Sequence, residues 1–259
     1  MMDINTHPFY IAAHESGSLA SNIPLWASRE ENPFKFTHAA PQVVTRSDIA
    51  GVPGAFQLLN VLSAEECQAL IDATESMEYT EDAAVSLGRN IRHNMNLSCI
   101  VDISTERLIW SRVAPLVKVE STPPFAGKIP LGLNQRFRFY RYKKGDYFST
   151  HTDGAWPGSK IVNEKPVTDA FGDRYSLYSF LIFLSDEFTG GETQFLVDKS
   201  DPTRPARTPN NAQLKGVRTP VGGVLCFPHG THPLHCLHSS QMITQGVKYI
   251  IRSDILFSL

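Results

Sequence analysis

Apolar and polar positions change their period along this chain. Residues 55–62 read AFQLLNVL, a strand-like run. It leads into Ser63-Ala64-Glu65-Glu66, a capping box in which the serine opens a helix and Glu66 reaches back to it. Cys67, Leu70, Ile71 and Thr74 then recur at helical spacing. A second helix is predicted from Ser104 or Thr105, with Leu108, Ile109, Val113 and Leu116 as its inner stripe and Pro123-Pro124 ending the region. From Arg136 the period shortens. RFRFYRY over 136–142 reads as a strand and KKGD as a turn. The apolar-aromatic run 175–184 is followed by a turn through Gly190-Gly191 and by further strand candidates at 191–197, 221–227 and 248–259. Helices first and strands after is an α+β order with a strand-rich core. Residues 1–50 are polar with scattered aromatics and prolines, and read as a partly irregular N-terminal arm. Residues 51–259 read as one domain, with helical support over 60–120. The segments 156–174 and 198–216 read as long polar loops, a length that usually accompanies function or disorder.

Composition changes this picture little. Of 259 residues, 42% are apolar and 19% charged, which sets aside a disordered, collagenous or coiled-coil chain. Lys plus Arg number 24 and Asp plus Glu 26, so the net charge of -2 gives no global attraction to nucleic acid or anionic membrane. No apolar run is long enough to span a bilayer and the N-terminus does not read as a secretion signal. Four cysteines, none in a CxxC pair, fit free buried thiols in a reducing compartment. The expectation is a cytoplasmic protein, with the nucleus as an alternative.

Two short motifs carry chemistry. His151-Thr152-Asp153 places an imidazole and a carboxylate on one face of an extended strand. A lone HxD is common, and a polar strand end is the plainer reading. The second motif is FPHGTHPLHCLH, with His229, His232, His235 and His238 at steps of three. It could suggest a zinc loop, but no Cys/His set at structural-zinc spacing lies nearby. Two histidines and one carboxylate from distant parts of a chain match the facial triad of non-haem Fe(II) oxygenases, which leaves one face of the ion open. Lys248 could supply a cation for the far end of a dicarboxylate, or could be a surface lysine on an edge strand.

Taken together, RFRFYRYKKGDYFSTHTDG (136–154), SLYSFLIFLSDEFTGGETQF (176–195) and PVGGVLCFPHGTHPLHCLHSSQMITQGVKYIIRSDILF (220–257) resemble the Fe(II)/2-oxoglutarate-dependent dioxygenases, in their prolyl 4-hydroxylase-like branch. A weaker likeness runs through FQLLNVLSAEEC and the 105–117 helix. The resemblance implies a double-stranded β-helix, or jelly-roll, core over 130–259 with the N-terminal helices packed on one sheet. It implies Fe(II) held by His151, Asp153 and His238. It implies 2-oxoglutarate held through Lys248, ten residues after His238, with Tyr142 as a hydrogen-bonding helper. It implies O2 as the oxidant and release of succinate and CO2, and it admits ascorbate as a reductant. Lys248, Ile250 and Arg252 should share one strand face, and Leu181 and Phe183 should face the core or the co-substrate. Arg252 and Asp254 match a tail motif with a structural or ligand-supporting role. The family often carries His-Glu-Gly at the distal ligand, where this chain has His238-Ser239-Ser240, a departure that touches substrate access or the bonding around the ligand. His235 is a rival distal ligand. His229 and His232 are read as structuring the loop or lining the site. Asp153 also argues against a halogenase, where that ligand is usually a small residue.

The substrate the resemblance implies is a prolyl residue in a peptide or protein. A free amino acid or small metabolite would suit the same machinery, and a non-catalytic metal-binding or oxygen-sensing protein is a different class of reading. Trp156, beside the metal strand, could contact substrate or simply be buried. Arg136 and Arg138 could steer an anionic group or face solvent. Loops 156–174 and 198–216 could act as lids that order on binding.

Overall fold

The computed structural model describes residues 7–84, 87–117 and 128–259. Strands dominate it, and two α-helices occur among the described residues. The larger sheet is built around strands Met95–Ile100, Arg136–Tyr142, Lys248–Ser258, Arg174–Phe183 and Val224–Pro228, in that spatial order. A smaller sheet runs Ala212–Val217, Thr193–Asp198, His238–Ser240, Tyr147–His151 and Arg92–His93. The two sheets pack face to face as a jelly-roll. Tyr140, Tyr142, Leu181, Phe183, Leu225, Phe227 and Ile250 of the large sheet share an apolar cluster with Phe195, Val197 and Val217 of the small one.

Period-two alternation separates the faces of the large sheet. Phe137, Phe139, Phe180, Ile182, Ile251 and Ile255 point the other way and join a second cluster with Cys67, Leu70, Leu108, Ile109 and Val113 from the helices. The first helix, Ala64–Ser76, has both halves of its capping box: Glu66 N–H donates to Ser63 Oγ at 3.1 Å and Ser63 N–H to Glu66 Oε2 at 3.0 Å. The second helix, Ile103–Val117, starts just before its expected position because Asp102 accepts from Thr105 N–H at 2.9 Å as its cap. Buried Arg112 ties the two helices together by donating to both Glu66 oxygens, at 2.8 and 2.7 Å. Pro123-Pro124 lies outside the described residues.

Two expectations need correction. The N-terminal arm is irregular only between three strands, over the described residues 7–50. Strands Phe9–Glu15, Ile23–Ser28 and Thr45–Asp48 extend the large sheet at both ends, the second pairing parallel with Met95–Ile100. Apolar outward positions hid their alternation: Ile23-Pro-Leu-Trp-Ala-Ser buries every second residue, but Pro24 and Trp26 stand on the outer face, and Ile11 is exposed on the first strand. The segments 156–174 and 198–216 are not structureless either. Lys160–Val162 and Lys165–Val167 form a hairpin whose turn residues, Asn163 and Glu164, have φ of 50° and 63°. That is a two-residue turn without the glycine that would have signalled it. Ala212–Val217 is an edge strand.

Candidate metal centre

Strand register brings the two motifs together. Tyr147–His151 and His238–Ser240 are antiparallel neighbours in the small sheet, and His151 sits directly opposite His238. Their ring centroids are 4.2 Å apart. Asp153 follows His151 by two residues and returns to the same side. His151 Nε2 lies 3.7 Å from Asp153 Oδ1 and His238 Nε2 lies 3.7 Å from Asp153 Oδ2. These three residues form the only metal-competent His/Cys/Asp/Glu group among the described residues, their donor atoms all within 4.8 Å. Donors about 2.1 Å from one ion at right angles stand about 3 Å apart, so the side chains need to close by up to about 2 Å.

The tautomers fit the same purpose. His151 Nδ1 faces the Ser149 carbonyl at 2.8 Å and His238 Nδ1 faces the Cys236 carbonyl at 3.2 Å. A carbonyl only accepts, so each Nδ1 carries the proton and each Nε2 offers a lone pair towards Asp153. Burial, then the neighbouring His238, pushes the His151 imidazole down to about 3, and burial lowers His238 as well. Both rings are neutral near pH 7, the state a metal requires. Burial alone would raise the Asp153 carboxyl. Arg252, 3.0 Å away through Nη1, followed by the two histidines, overcomes that and holds it well below the usual carboxylate range.

The large sheet supplies the opposite wall of the cavity. Lys248 pairs in register with Tyr142, Ile250 with Tyr140 and Arg252 with Arg138, and all six line one cavity of about 170 Å³ with the three ligand candidates. Lys248 is 1% exposed. Its ammonium donates to the Gly191 carbonyl at 2.6 Å and to Ser240 Oγ at 3.1 Å, and no ion pair to a carboxylate is found among the described residues. Burial, then the charge of Arg218, pushes it down to about 7. A buried cation facing a cavity without a protein counter-charge suits an anionic ligand. Tyr142 is also buried, which raises its phenol. The Lys248 ammonium stands 5.4 Å from its ring.

The remaining candidates fall in different places. Arg138 lines the cavity beneath the Trp156 ring, 4.9 Å from its centroid, and is paired to Asp254 at 3.4 Å. Trp156 lines the cavity as well. Arg136 does not line it: the side chain pairs with Glu15 of the N-terminal strand, at 2.8 and 2.5 Å. Leu181 lines the cavity, whereas Phe183 lies in the adjoining core and against the Lys248 ammonium, 5.5 Å from its ring. His235 points to Arg207 and not to the other ligands, which removes it as a rival. His232 is buried edge-on to Tyr178. His229 is buried between Ser176 and Ser179.

Some neighbours carried no signal of their own. Phe148 stacks on the His151 ring at 3.5 Å, and Ser179 Oγ donates to Asp153 Oδ2 at 2.5 Å. The alternation that turns Leu181 and Phe183 inward also turns Ser179 inward, and a bulge between Ser176 and Tyr178 brings Ser176 to the same side.

Three comparisons bear on this arrangement. No protein-family model matches the chain. Prolyl 4-hydroxylase 13 of Arabidopsis thaliana is 22% identical over 204 residues, spanning 76% of this chain and 69% of the relative. Probable prolyl 4-hydroxylase 9 of the same plant is 24% identical over 265 residues, spanning 93% and 87%. Among solved structures, a prolyl hydroxylase from Trichoplax adhaerens in complex with a peptide fragment of the hypoxia inducible factor oxygen degradation domain shares the fold, with a TM-score of 0.50, 12% identity and 84% of each chain covered. The chain thus combines a His-Asp-His site between its two sheets with similarity, at 22–24% identity, to curated prolyl 4-hydroxylases and with the fold of a prolyl hydroxylase of known structure.

Proposed function

We propose that this enzyme hydroxylates a prolyl residue in a peptide or protein, using Fe(II) held by His151, Asp153 and His238. The observation that carries the reading is the convergence of three donor atoms within 4.8 Å beside a buried lysine that has no carboxylate partner among the described residues. When bound, Fe(II) with 2-oxoglutarate and O2 supplies an oxidative decarboxylation: one oxygen atom enters succinate, CO2 leaves, and the other oxygen enters a substrate C–H bond. The chain's own residues do the rest. Lys248 neutralises the far carboxylate of 2-oxoglutarate, with Tyr142 beside it. His151 and His238 present Nε2 lone pairs without first losing a proton. Phe148 shields the His151 ring from water. Ascorbate would serve as the reductant that keeps the iron ferrous.

The cavity supports a substrate that inserts one side chain. Its volume of about 170 Å³ is below the roughly 300–1,000 Å³ of sites that enclose a drug-sized ligand. A five-carbon co-substrate already takes much of it, so the remainder suits a prolyl ring presented by a chain lying outside, with Trp156 at its edge.

The test is incubation with Fe(II), 2-oxoglutarate, ascorbate and a panel of proline-containing peptides. Succinate and a peptide heavier by one oxygen should appear together in equal amounts, and neither should appear with Asp153→Ala. Succinate formed equally by wild type and Asp153→Ala would contradict the assignment of the metal ligands. Turnover on a free amino acid and on no peptide would contradict the peptide substrate.

A further inference from the structure

His229 is one of three histidines in the FPHGTHPLHCLH motif that lie outside the metal-competent group. It is 1% exposed, and both ring nitrogens face serine hydroxyls: Nε2 lies 2.8 Å from Ser176 Oγ and Nδ1 lies 2.8 Å from Ser179 Oγ. Each serine has a second partner. Ser179 Oγ lies 2.5 Å from Asp153 Oδ2, and the Trp156 backbone N–H donates to Ser176 Oγ at 2.8 Å.

These contacts allow one direction of donation. A carboxylate only accepts, so the Ser179 hydroxyl donates to Asp153. That hydroxyl has one proton, so it must accept from His229, which places the imidazole proton on Nδ1. Nε2 then accepts from the Ser176 hydroxyl, and Ser176 Oγ accepts from Trp156 N–H. Burial pushes the His229 imidazole down to about 4, so at neutral pH the ring is uncharged and has the single proton this chain of bonds needs. The Asp254 carboxylate, 3.8 Å from Nδ1, is beyond hydrogen-bond reach. Asp153 is held from its other side by Arg252.

We propose that His229 is a positioning residue for the metal ligand Asp153: through Ser179 it fixes the orientation of the carboxylate, and through Ser176 it ties that orientation to the backbone at Trp156 on the cavity rim. This rests on the reading of Asp153 as a metal ligand. Outer partners of metal ligands typically contribute about 10–100-fold in metal affinity.

The test uses Mn(II) binding to the full chain, measured by the electron paramagnetic resonance of free Mn(II), without turnover. His229→Ala and Ser179→Ala should each weaken Mn(II) about 10–100-fold. His229→Asn, which keeps an amide N–H near the Nδ1 position, should restore most of the loss. In the Ser179→Ala background, His229→Ala should cost less than about twofold more, because one bond has already been lost. Fully additive losses, or single variants that bind as wild type does while Asp153→Ala does not, would overturn the positioning role and leave the metal reading intact. A wild type that binds no Mn(II), or binds it as Asp153→Ala does, would overturn the metal reading itself. If His229→Ala does not fold, nitrogen-15 spectra of the wild-type imidazoles decide: His229 protonated on Nδ1 at pH 7 is expected, and a proton on Nε2 overturns the proposal.

Discussion

The central strands of the large sheet carry opposite contents on their two faces. Outward, under the helices, stand Phe137, Phe139, Phe180, Ile182, Ile251 and Ile255, all without exposure. Inward, one residue away in each case, stand Arg138, Tyr140, Leu181, Ile250 and Arg252. The outer face gains its free energy from apolar burial. The inner face holds a chain of buried charges, Arg138–Asp254–Arg252–Asp153, which costs desolvation and returns it as attraction between partners. Stability and chemistry are separated here by a one-residue step along the same strands. Substitutions outward should damage the fold and spare the site. Those inward should damage the site, and they should spare the fold where, as at Lys248, no carboxylate partner among the described residues is left behind.

The largest expected effect is on the inner face. Asp153→Ala should abolish metal binding and turnover, read by metal titration and succinate release, while the circular dichroism spectrum stays that of a folded chain. On the outer face, Phe139→Ala should destabilise by about 3–5 kcal/mol in denaturant unfolding, with metal affinity unchanged in the folded protein. If it removed metal binding from folded protein, the separation of the faces would fail.

Lys248→Met sharpens the contrast. It replaces a buried ammonium that has no carboxylate partner among the described residues, so the midpoint of unfolding should stay equal or rise. Affinity for 2-oxoglutarate should fall by at least about tenfold, since a charge-assisted contact contributes roughly 1.5–3 kcal/mol. A smaller effect follows from pH. Lys248 is held at about 7, below the ordinary 10.5 of a lysine. Between those values the unfolded chain binds more protons than the native one, so this group makes stability rise with pH from about 7 to 10.5. The sign for co-substrate is opposite. The neutral amine attracts no carboxylate, so 2-oxoglutarate affinity should fall above pH 7, by up to about tenfold per pH unit, and Lys248→Met should flatten that profile. The smallest effect is expected for Arg136→Ala. Its partner is Glu15, so it should loosen the N-terminal strand pair in hydrogen exchange and leave turnover unchanged.

Much of this site was legible in the sequence because its signals are local. The HxD pair, the capping box at Ser63 and the inward alternation of Lys248, Ile250 and Arg252 each depend on period alone. The ten-residue spacing from His238 to Lys248 took its meaning from resemblance, and the register then placed both beside the same cavity. What stayed hidden depends on pairing between distant segments. Arg136 and Arg138 share one strand face, yet the N-terminal strand that supplies Glu15 draws one away from the cavity. Ser176 joins Ser179 beside His229 because of a bulge that no residue type announces. The three other histidines of 229–238 are alike in spacing, and only their neighbours separate them: two serines for His229, Tyr178 for His232, Arg207 for His235. The N-terminal strands were missed because apolar residues, Ile11, Pro24 and Trp26, stand at their outward positions and blur the alternation.

The most direct test of the central claim is equilibrium binding of Mn(II), a stand-in for Fe(II), to wild type and to three single variants, His151→Ala, Asp153→Ala and His238→Ala. The account predicts one ion per wild-type chain, tightened by 2-oxoglutarate, and loss of that binding in each variant. Undiminished binding in any of the three, in a folded protein, would contradict it.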